Sequence, residues 1–347
     1  MSCPNEHWGL EFSQEEIAEC KAQNGLLSLE LELSRACNLR CIYCYAESGV
    51  ALKDEMTLDD IFQTIDQAAG LGARKIIVLG GGEPLLYPHI ADVIDHIKSH
   101  DLAIDLFTNG TLINAEVAQL LYDRNVAISI KMNSQDEAIQ DELAGHKNSY
   151  QEISQGLQAL LDVGYPDGDH TLGIETIICA QNYDEIPTLW RWARDRQIIP
   201  YIETMTDQGR ASQHESLAVG PEKVRTMFEQ LAQIDRDEYG NTWLPRPPLA
   251  GSHCARHEYS CTVTSIGEVF PCPGVSIATG NIKTEPLADI LAGSTVIQEL
   301  RQIRTNIHGK CKGCEHLDFC YGCRGNAYQC TGDHLASDPA CWIKENI

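Results

Sequence analysis

The sequence predicts an α/β fold in two parts: a partial (β/α)6 barrel followed by a small cysteine-rich domain. Three observations predict it. Apolar runs of strand length alternate with helix-period segments from residue 26 to about 234, the pattern of a parallel sheet covered by helices. Six such strands are present, too few for a closed eight-stranded barrel. Beyond a proline cluster the periodicity fades, and nine of the fifteen cysteines lie from Cys254 onward.

In chain order, Ser13 and Glu16 form a capping-box pattern for a helix over 13–25, closed by Asn24 and Gly25. The first strand is predicted over 26–33. Further strands are predicted over 75–79, 103–107, 126–130, 172–178 and 200–204, with helices over 57–70, 90–99, 114–123, 149–163, 184–196 and 221–234. Residues 205–220 are polar and loop-like, and 244–251, with Pro245, Pro247 and Pro248, read as a linker because clustered prolines disfavour helix and sheet alike. The expected divisions are an N-terminal helix over 1–25, the barrel over 26–215, a helix and linker over 216–250, and the cysteine-rich domain over 251–347. That last domain has so little periodic core that metal is expected to hold it together.

Composition narrows the function. Hydrophobic residues make up 43% of the chain, enough for a full core. Lys plus Arg is 26 against 50 Asp plus Glu, a net charge of −24. Such a surface repels phosphate backbones and anionic lipid, so neither nucleic acid nor membrane is expected as a partner. No apolar run reaches the roughly 18 residues of a membrane span. Residues 1–8 lack the charged and apolar regions of a secretory signal, so a cytoplasmic location is expected. In a reducing compartment clustered cysteines ligate metal more often than they form disulfides, and zinc and iron–sulfur are the readings that suit thiolates.

The first cysteine group, Cys37-x3-Cys41-x2-Cys44 with Tyr43 before the last cysteine, follows the first strand. Three thiolates on a compact loop can hold three irons of a [4Fe–4S] cube and leave the fourth open; a zinc loop or structural cluster is the alternative. Gly80-Gly81-Gly82-Glu83-Pro84 follows the second strand, where glycines allow close backbone approach to a ligand and Glu83 can accept from an ammonium. Asn109 ends the third strand, beside Gly110 in what is also an ordinary turn signal; Ser129 and Lys131 end the fourth, and Glu175 lies inside the fifth. The C-terminal pattern is Cys254-x6-Cys261-x5-Gly267-x4-Cys272, then Cys311-x2-Cys314-x5-Cys320-x2-Cys323, then Cys341. Its CxxC pairs suit zinc as well as iron–sulfur. Cys3, Cys20, Cys179 and Cys330 have no assigned role, Cys179 reading as a small core residue, and His253 and His257 flank Cys254 as possible ligands.

The loop Cys37–Cys41–Cys44 and the turn from Gly81 to Pro84 resemble those of the radical S-adenosylmethionine (SAM) superfamily, and the C-terminal cysteines resemble its SPASM domain, an iron–sulfur domain. The resemblance implies that the open iron on Cys37, Cys41 and Cys44 binds the amino and carboxylate groups of SAM, and that an electron then yields a 5′-deoxyadenosyl radical. It implies cofactor contacts from Tyr43, Gly81, Gly82, Glu83, Pro84, Asn109 and Ser129, the last two at the ribose and carboxylate. The family's Ser-x-Asp-Gly is replaced here by a stretch in which Lys131 and Asn133 follow Ser129. Two auxiliary [4Fe–4S] clusters are implied, one on Cys254, Cys261, Cys272 and Cys323, the other on Cys311, Cys314, Cys320 and Cys341, with Cys330 as the alternative last ligand. Eight thiolates leave no open iron, so these clusters would carry electrons. Cys320 and Cys323 are separated by two residues where many members have three. The implied cofactors are three [4Fe–4S] clusters and SAM, with reduced ferredoxin or flavodoxin as electron donor and a peptide or small molecule as substrate. Peptide or protein maturation is the expected activity, with tetrapyrrole or redox-cofactor biosynthesis as the alternative. Only 36 residues precede Cys37, too few for a peptide-binding domain, so a peptide would need a separate carrier or direct recognition. A non-catalytic iron–sulfur or zinc scaffold would have no use for a methionine-binding glycine turn.

Overall fold

In a computed structural model, which describes residues 12–343, six parallel strands form the expected partial barrel. They are β1 (Ser28–Ser34), β2 (Lys75–Gly81), β3 (Ala103–Thr108), β4 (Ala127–Lys131), β5 (Leu172–Ile178) and β6 (Ile199–Thr204). Each pairs in parallel with the next, starting with Ser28 opposite Lys75. Helices at Leu58–Gly70, Ile90–Ser99, Ala115–Asp123, Ser149–Val163, Ile186–Arg194 and Pro221–Ile234 follow strands β2 to β6 or precede β2, within a residue or two of their expected positions. The Ser13–Glu16 capping box is formed, on the helix Gln14–Ala22. Cys3 lies outside the described residues.

β1 shows how one strand serves two interiors. Leu29, Leu31 and Leu33 are buried in the apolar layer between sheet and helices, whereas Ser28, Glu30 and Glu32 alternate onto the other face and are also buried. The acidic positions therefore face the inside of the barrel, not water.

Two features extend the expected architecture. The sheet has eight strands in the order β6-β5-β4-β3-β2-β1-β7-β8, because β7 (Ser260–Val263) adds in parallel to the free edge of β1 and β8 (Val269–Phe270) returns antiparallel. The cysteine-rich region is thus built onto the barrel sheet, and an edge that would otherwise present unpaired backbone groups is covered. The stretch read as a linker is a packed strap: Thr204 N–H donates to the Pro248 carbonyl and Ala250 N–H to that of Ile202, each at 2.9 Å, so it lies along β6. The C-terminal region also has a small apolar core, in which Val275, Leu300, Ile303, Ile307 and Tyr321 pack with Cys272 and Cys311. Among the described residues, no helix is long and apolar enough to cross a membrane.

Candidate active site

The first cysteine loop is positioned by a helix the sequence did not reveal. Glu137–Ala144 is capped by Asp136 and ends at Gly145, whose φ of 60° is left-handed. Its last carbonyls have no partner within the helix. Leu143 and Ala144 instead accept from the loop, from Ile42 N–H at 3.0 Å and Arg40 N–H at 3.1 Å. A side chain at Gly145 would meet the Arg40 carbonyl at 2.2 Å, so the glycine permits the contact. From the other side Arg210 donates through Nε to the Cys41 carbonyl at 2.9 Å and through Nη1 to that of Ser48 at 3.0 Å. Nothing in the sequence pattern singles out Arg210, which sits in a polar stretch.

The three sulfurs are close enough to influence one another. Burial pushes the Cys41 thiol up to about 12, and the neighbouring Cys44 and Cys37 add to the rise. Cys37 is raised too, mainly by burial, against a hydrogen bond from Leu39 N–H. Tyr43 is buried beneath the loop; Asn133 donates to its hydroxyl at 2.6 Å, and Lys131 Nζ stands 5.1 Å from its ring.

The glycine turn meets this loop directly. A side chain at Gly82 would come within 2.0 Å of the Ala36 carbonyl, and Glu83 N–H donates to that same oxygen at 2.8 Å. Pro84 follows, buried, and opens a single 3-10 turn. The Glu83 carboxylate is buried and engaged: it accepts from the Thr108 hydroxyl at 2.6 Å, Asn109 N–H at 2.7 Å and Leu85 N–H at 3.0 Å. Burial outweighs these bonds and holds its pKa above the usual range. The Asn109 side chain is engaged as well, donating to Asn38 and accepting from Thr111. Both residues brace the ends of β2 and β3 against the cysteine loop. Ser129 is 1% exposed with an unpartnered hydroxyl, below Lys131 on the inward face of β4 and not on the cavity wall.

One cavity of about 310 Å³ joins these elements. Cys37, Cys41, Cys44, Tyr43 and Gly80 to Glu83 line one part, and Asn109 lies beside them. Polar residues from the strands fill the interior. Lys131 pairs with Glu175 at 3.0 Å, and Arg256 pairs with Glu30, which also accepts from Thr262. Glu203 is pushed up to about 8, first by burial and then by the charge of Glu175. Of this set only Lys131 and Glu175 were legible as site candidates in the sequence.

Cys254, Cys272 and Cys323 line the same cavity. Cys272 is raised by burial and then by Cys323, with Cys254 contributing; Cys323, pushed up to about 12, also feels Cys254. Gly274 and Gly325 touch backbone to backbone beside them, since a side chain on either would lie 2.7 Å from the other's Cα. Cys261 is not brought to this group. On β7 it pairs with Leu29 and lies, 1% exposed, in the apolar layer outside the sheet, while its neighbour Thr262 points into the barrel. The period-two alternation of a strand turns it away.

Four of the remaining cysteines, Cys311, Cys314, Cys320 and Cys341, form a separate group away from the cavity, while Cys20 is buried against Ile17, Leu27 and Tyr259. Cys320 is pushed up to about 11 by burial, with Cys341 and Cys311 as neighbouring charges. Cys314 follows Cys311 on the same turn, its N–H donating to the Cys311 carbonyl at 3.2 Å. Cys341 is raised by burial, with Cys311 among the neighbouring charges, whereas Cys330 is exposed, and the charges that add to the effect of burial there are Asp207 and Asp338, not another cysteine. Cys179 is fully buried beside Tyr43 and Leu143, a core residue as expected.

Comparison with known proteins finds two family models along the chain. Residues 31–193 match the family model of the radical SAM superfamily, and residues 254–315 match that of an iron–sulfur cluster-binding domain, SPASM; together they cover about two thirds of the chain. The AdoMet-dependent heme synthase of Methanosarcina barkeri is 26% identical, over 89% of this chain and 94% of the relative. The mycofactocin maturase MftC of Mycolicibacterium smegmatis is 27% identical, over 91% of this chain and 82% of the relative. Among solved structures, SuiB of Streptococcus suis bound to S-adenosylmethionine superposes with a TM-score of 0.73 at 19% identity, over 95% of this chain and 81% of SuiB, a likeness of fold. With both models matched in this order along a chain of this architecture, the protein is a radical SAM enzyme carrying a C-terminal SPASM domain.

Proposed function

We propose that the shared cavity is where SAM, held at a [4Fe–4S] cluster on Cys37, Cys41 and Cys44, meets a substrate that loses a hydrogen atom. One observation supports this above others: the first cysteine trio, the glycine turn and the trio Cys254, Cys272 and Cys323 all line a single cavity. The donor chemistry fits iron–sulfur. The sulfurs are buried and mutually close, and their raised pKa values describe thiols whose protons a metal must displace. When bound, the cluster and SAM supply a 5′-deoxyadenosyl radical, chemistry no side chain provides.

The chain's own part is positioning. Helix Glu137–Ala144 and Arg210 fix the loop, and Glu83 and Asn109 hold the glycine turn so that Gly81 and Gly82 present backbone toward SAM. Lys131, Glu175, Glu203, Glu30 and Arg256 form the polar lining that orients substrate. Cys254, Cys272 and Cys323 would hold a first auxiliary cluster, and Cys311, Cys314, Cys320 and Cys341 a second, farther from the cavity; such clusters would supply one-electron chemistry. Residues 26–215 thus serve SAM and 251–347 the auxiliary clusters. Reduced ferredoxin or flavodoxin is the proposed donor, and the reducing cytoplasm the proposed setting.

The proposed activity is peptide or protein maturation. A tetrapyrrole or redox-cofactor substrate is the second reading, favoured by the match over 94% of the length of the M. barkeri heme synthase. Anaerobic reconstitution tests the whole. About twelve irons per chain are expected from three cubes, whereas four irons with two tight zincs would reject the auxiliary clusters. Cys41→Ala is expected to abolish 5′-deoxyadenosine formation while sparing the C-terminal iron; undiminished product would sink the catalytic assignment. Stimulation of 5′-deoxyadenosine by candidate peptides or by iron–porphyrin carboxylates separates the two substrate readings.

A further inference from the structure

The first auxiliary site has three sulfurs at the cavity and lacks a fourth, because Cys261 faces the apolar layer beyond the sheet. The same wall of the cavity holds a nitrogen that lacks a partner. His257 lies on the single turn Arg256–Glu258, three residues after Cys254, and is 4% exposed. His257 lines the cavity together with Cys254, Cys272 and Cys323. Nδ1 stands 3.5 Å from the Tyr321 hydroxyl, and Nε2 is buried without a hydrogen-bond partner. A buried imidazole nitrogen with nothing to bind is costly and calls for a specific cause.

We propose that His257 Nε2 is the fourth ligand of the first auxiliary cluster, beside Cys254, Cys272 and Cys323. The proposal rests on the auxiliary-cluster reading above. The spacing Cys254-x2-His257 is a compact ligand pair, the histidine taking the place a second cysteine has in CxxC. A ligating histidine must carry its proton on the other nitrogen, and a partner for that proton fixes the ring. The Tyr321 oxygen is placed to accept from Nδ1–H, which leaves the Nε2 lone pair bare. Tyr321 is itself buried, next to Cys254, so it belongs to the same assembly. Exchanging a thiolate for a neutral imidazole leaves the cluster one charge less negative and raises its reduction potential, as histidine ligation does in two-iron centres. A first auxiliary cluster held this way would accept an electron from substrate more readily than one held by four thiolates.

The test uses the full chain with Cys37, Cys41 and Cys44 all changed to Ala, so that only auxiliary clusters report. Iron is counted after anaerobic loading, and the reduced protein is examined by pulsed electron paramagnetic resonance, with and without isotopically labelled histidine. About eight irons are expected from two cubes, together with a strongly coupled nitrogen that responds to the label. Adding His257→Cys is expected to keep all the iron and lose the nitrogen coupling, which guards against a variant that merely unfolds. Adding Cys261→Ala is expected to change neither. Full iron without a coupled nitrogen would overturn the proposal alone and leave the fourth iron open to solvent or substrate. A coupling that survives His257→Cys, or iron lost with Cys261→Ala, would overturn it as well. Only four irons would overturn the auxiliary-cluster reading and this inference with it.

Discussion

Glu83→Gln distinguishes a carboxylate that holds the glycine turn from one that only contacts SAM. In the folded protein Oε1 accepts from Thr108 and Leu85, and Oε2 accepts from Asn109 N–H. A glutamine oxygen can keep the first two bonds. Its amide nitrogen then faces Asn109 N–H, donor against donor, at a site where the carboxylate is 3% exposed. Losing a hydrogen bond to a charged acceptor costs about 1.5–3 kcal/mol, and a buried N–H left unsatisfied costs about 1–3 kcal/mol. Relief of the buried charge, which burial already disfavours, offsets part of this. A net loss of about 2–4 kcal/mol is expected in urea denaturation of the cluster-free protein, as a lower midpoint at unchanged slope. Thr108→Val shares the same network, so the double variant should lose less than the two single losses added together. A change below about 0.5 kcal/mol, within the range of ordinary surface substitutions, would refute the reasoning, most clearly if SAM affinity fell at the same time.

Three further outcomes are expected. Cys341→Ala should remove about four irons, one cube, while Cys330→Ala removes none; the reverse in iron analysis would move the last ligand to Cys330. Glu203, raised from 4.5 to about 8, holds a proton in the folded state that the unfolded chain releases, so its stabilising contribution is full below about pH 4.5 and lost as pH rises toward 8. Glu203→Gln stays neutral and should flatten that decline in denaturation midpoints; parallel curves for the two proteins would contradict the assignment. Arg210→Ala removes two side-chain bonds to the cysteine loop and should speed chelator extraction of the first cluster's iron at least tenfold, about 1.4 kcal/mol of lost restraint; an unchanged extraction rate would show that the loop holds itself.

Strand positions were legible because parallel strands buried on both faces leave dense apolar runs, and β5 matches its expected bounds, 172–178. Helix Glu137–Ala144 was not, because its eight residues carry a short apolar pattern, Ala138, Ile139, Leu143 and Ala144, in a polar stretch. The cysteine groups were legible from spacing, since ligands on one loop must be near in sequence. What spacing cannot convey is the face a residue takes. Cys261 fits the cysteine pattern as well as Cys254 does, yet one strand position decides that it faces the apolar layer. Ser129 likewise fits a strand-end motif but sits deeper along β4 than Lys131. The Glu30–Arg256 pair joins residues 226 positions apart and leaves no local trace in the sequence.

The parallel pairing of β7 with β1 has a consequence for biosynthesis. Ser28 waits for Ser260, so the N-terminal edge of the sheet cannot be closed until some 230 residues more have been made. Until then β1 offers an open row of backbone donors and acceptors, a template for another nascent chain. The ties that follow closure reach farther still along the chain: Lys21 to Glu258, 237 positions apart, and Arg301 to the Gly25 carbonyl, 276 apart. Truncation anywhere before residue 263 therefore removes more than the SPASM domain. It strips the cover from the first strand, and a shortened barrel made for study is expected to aggregate unless that edge is supplied with a substitute.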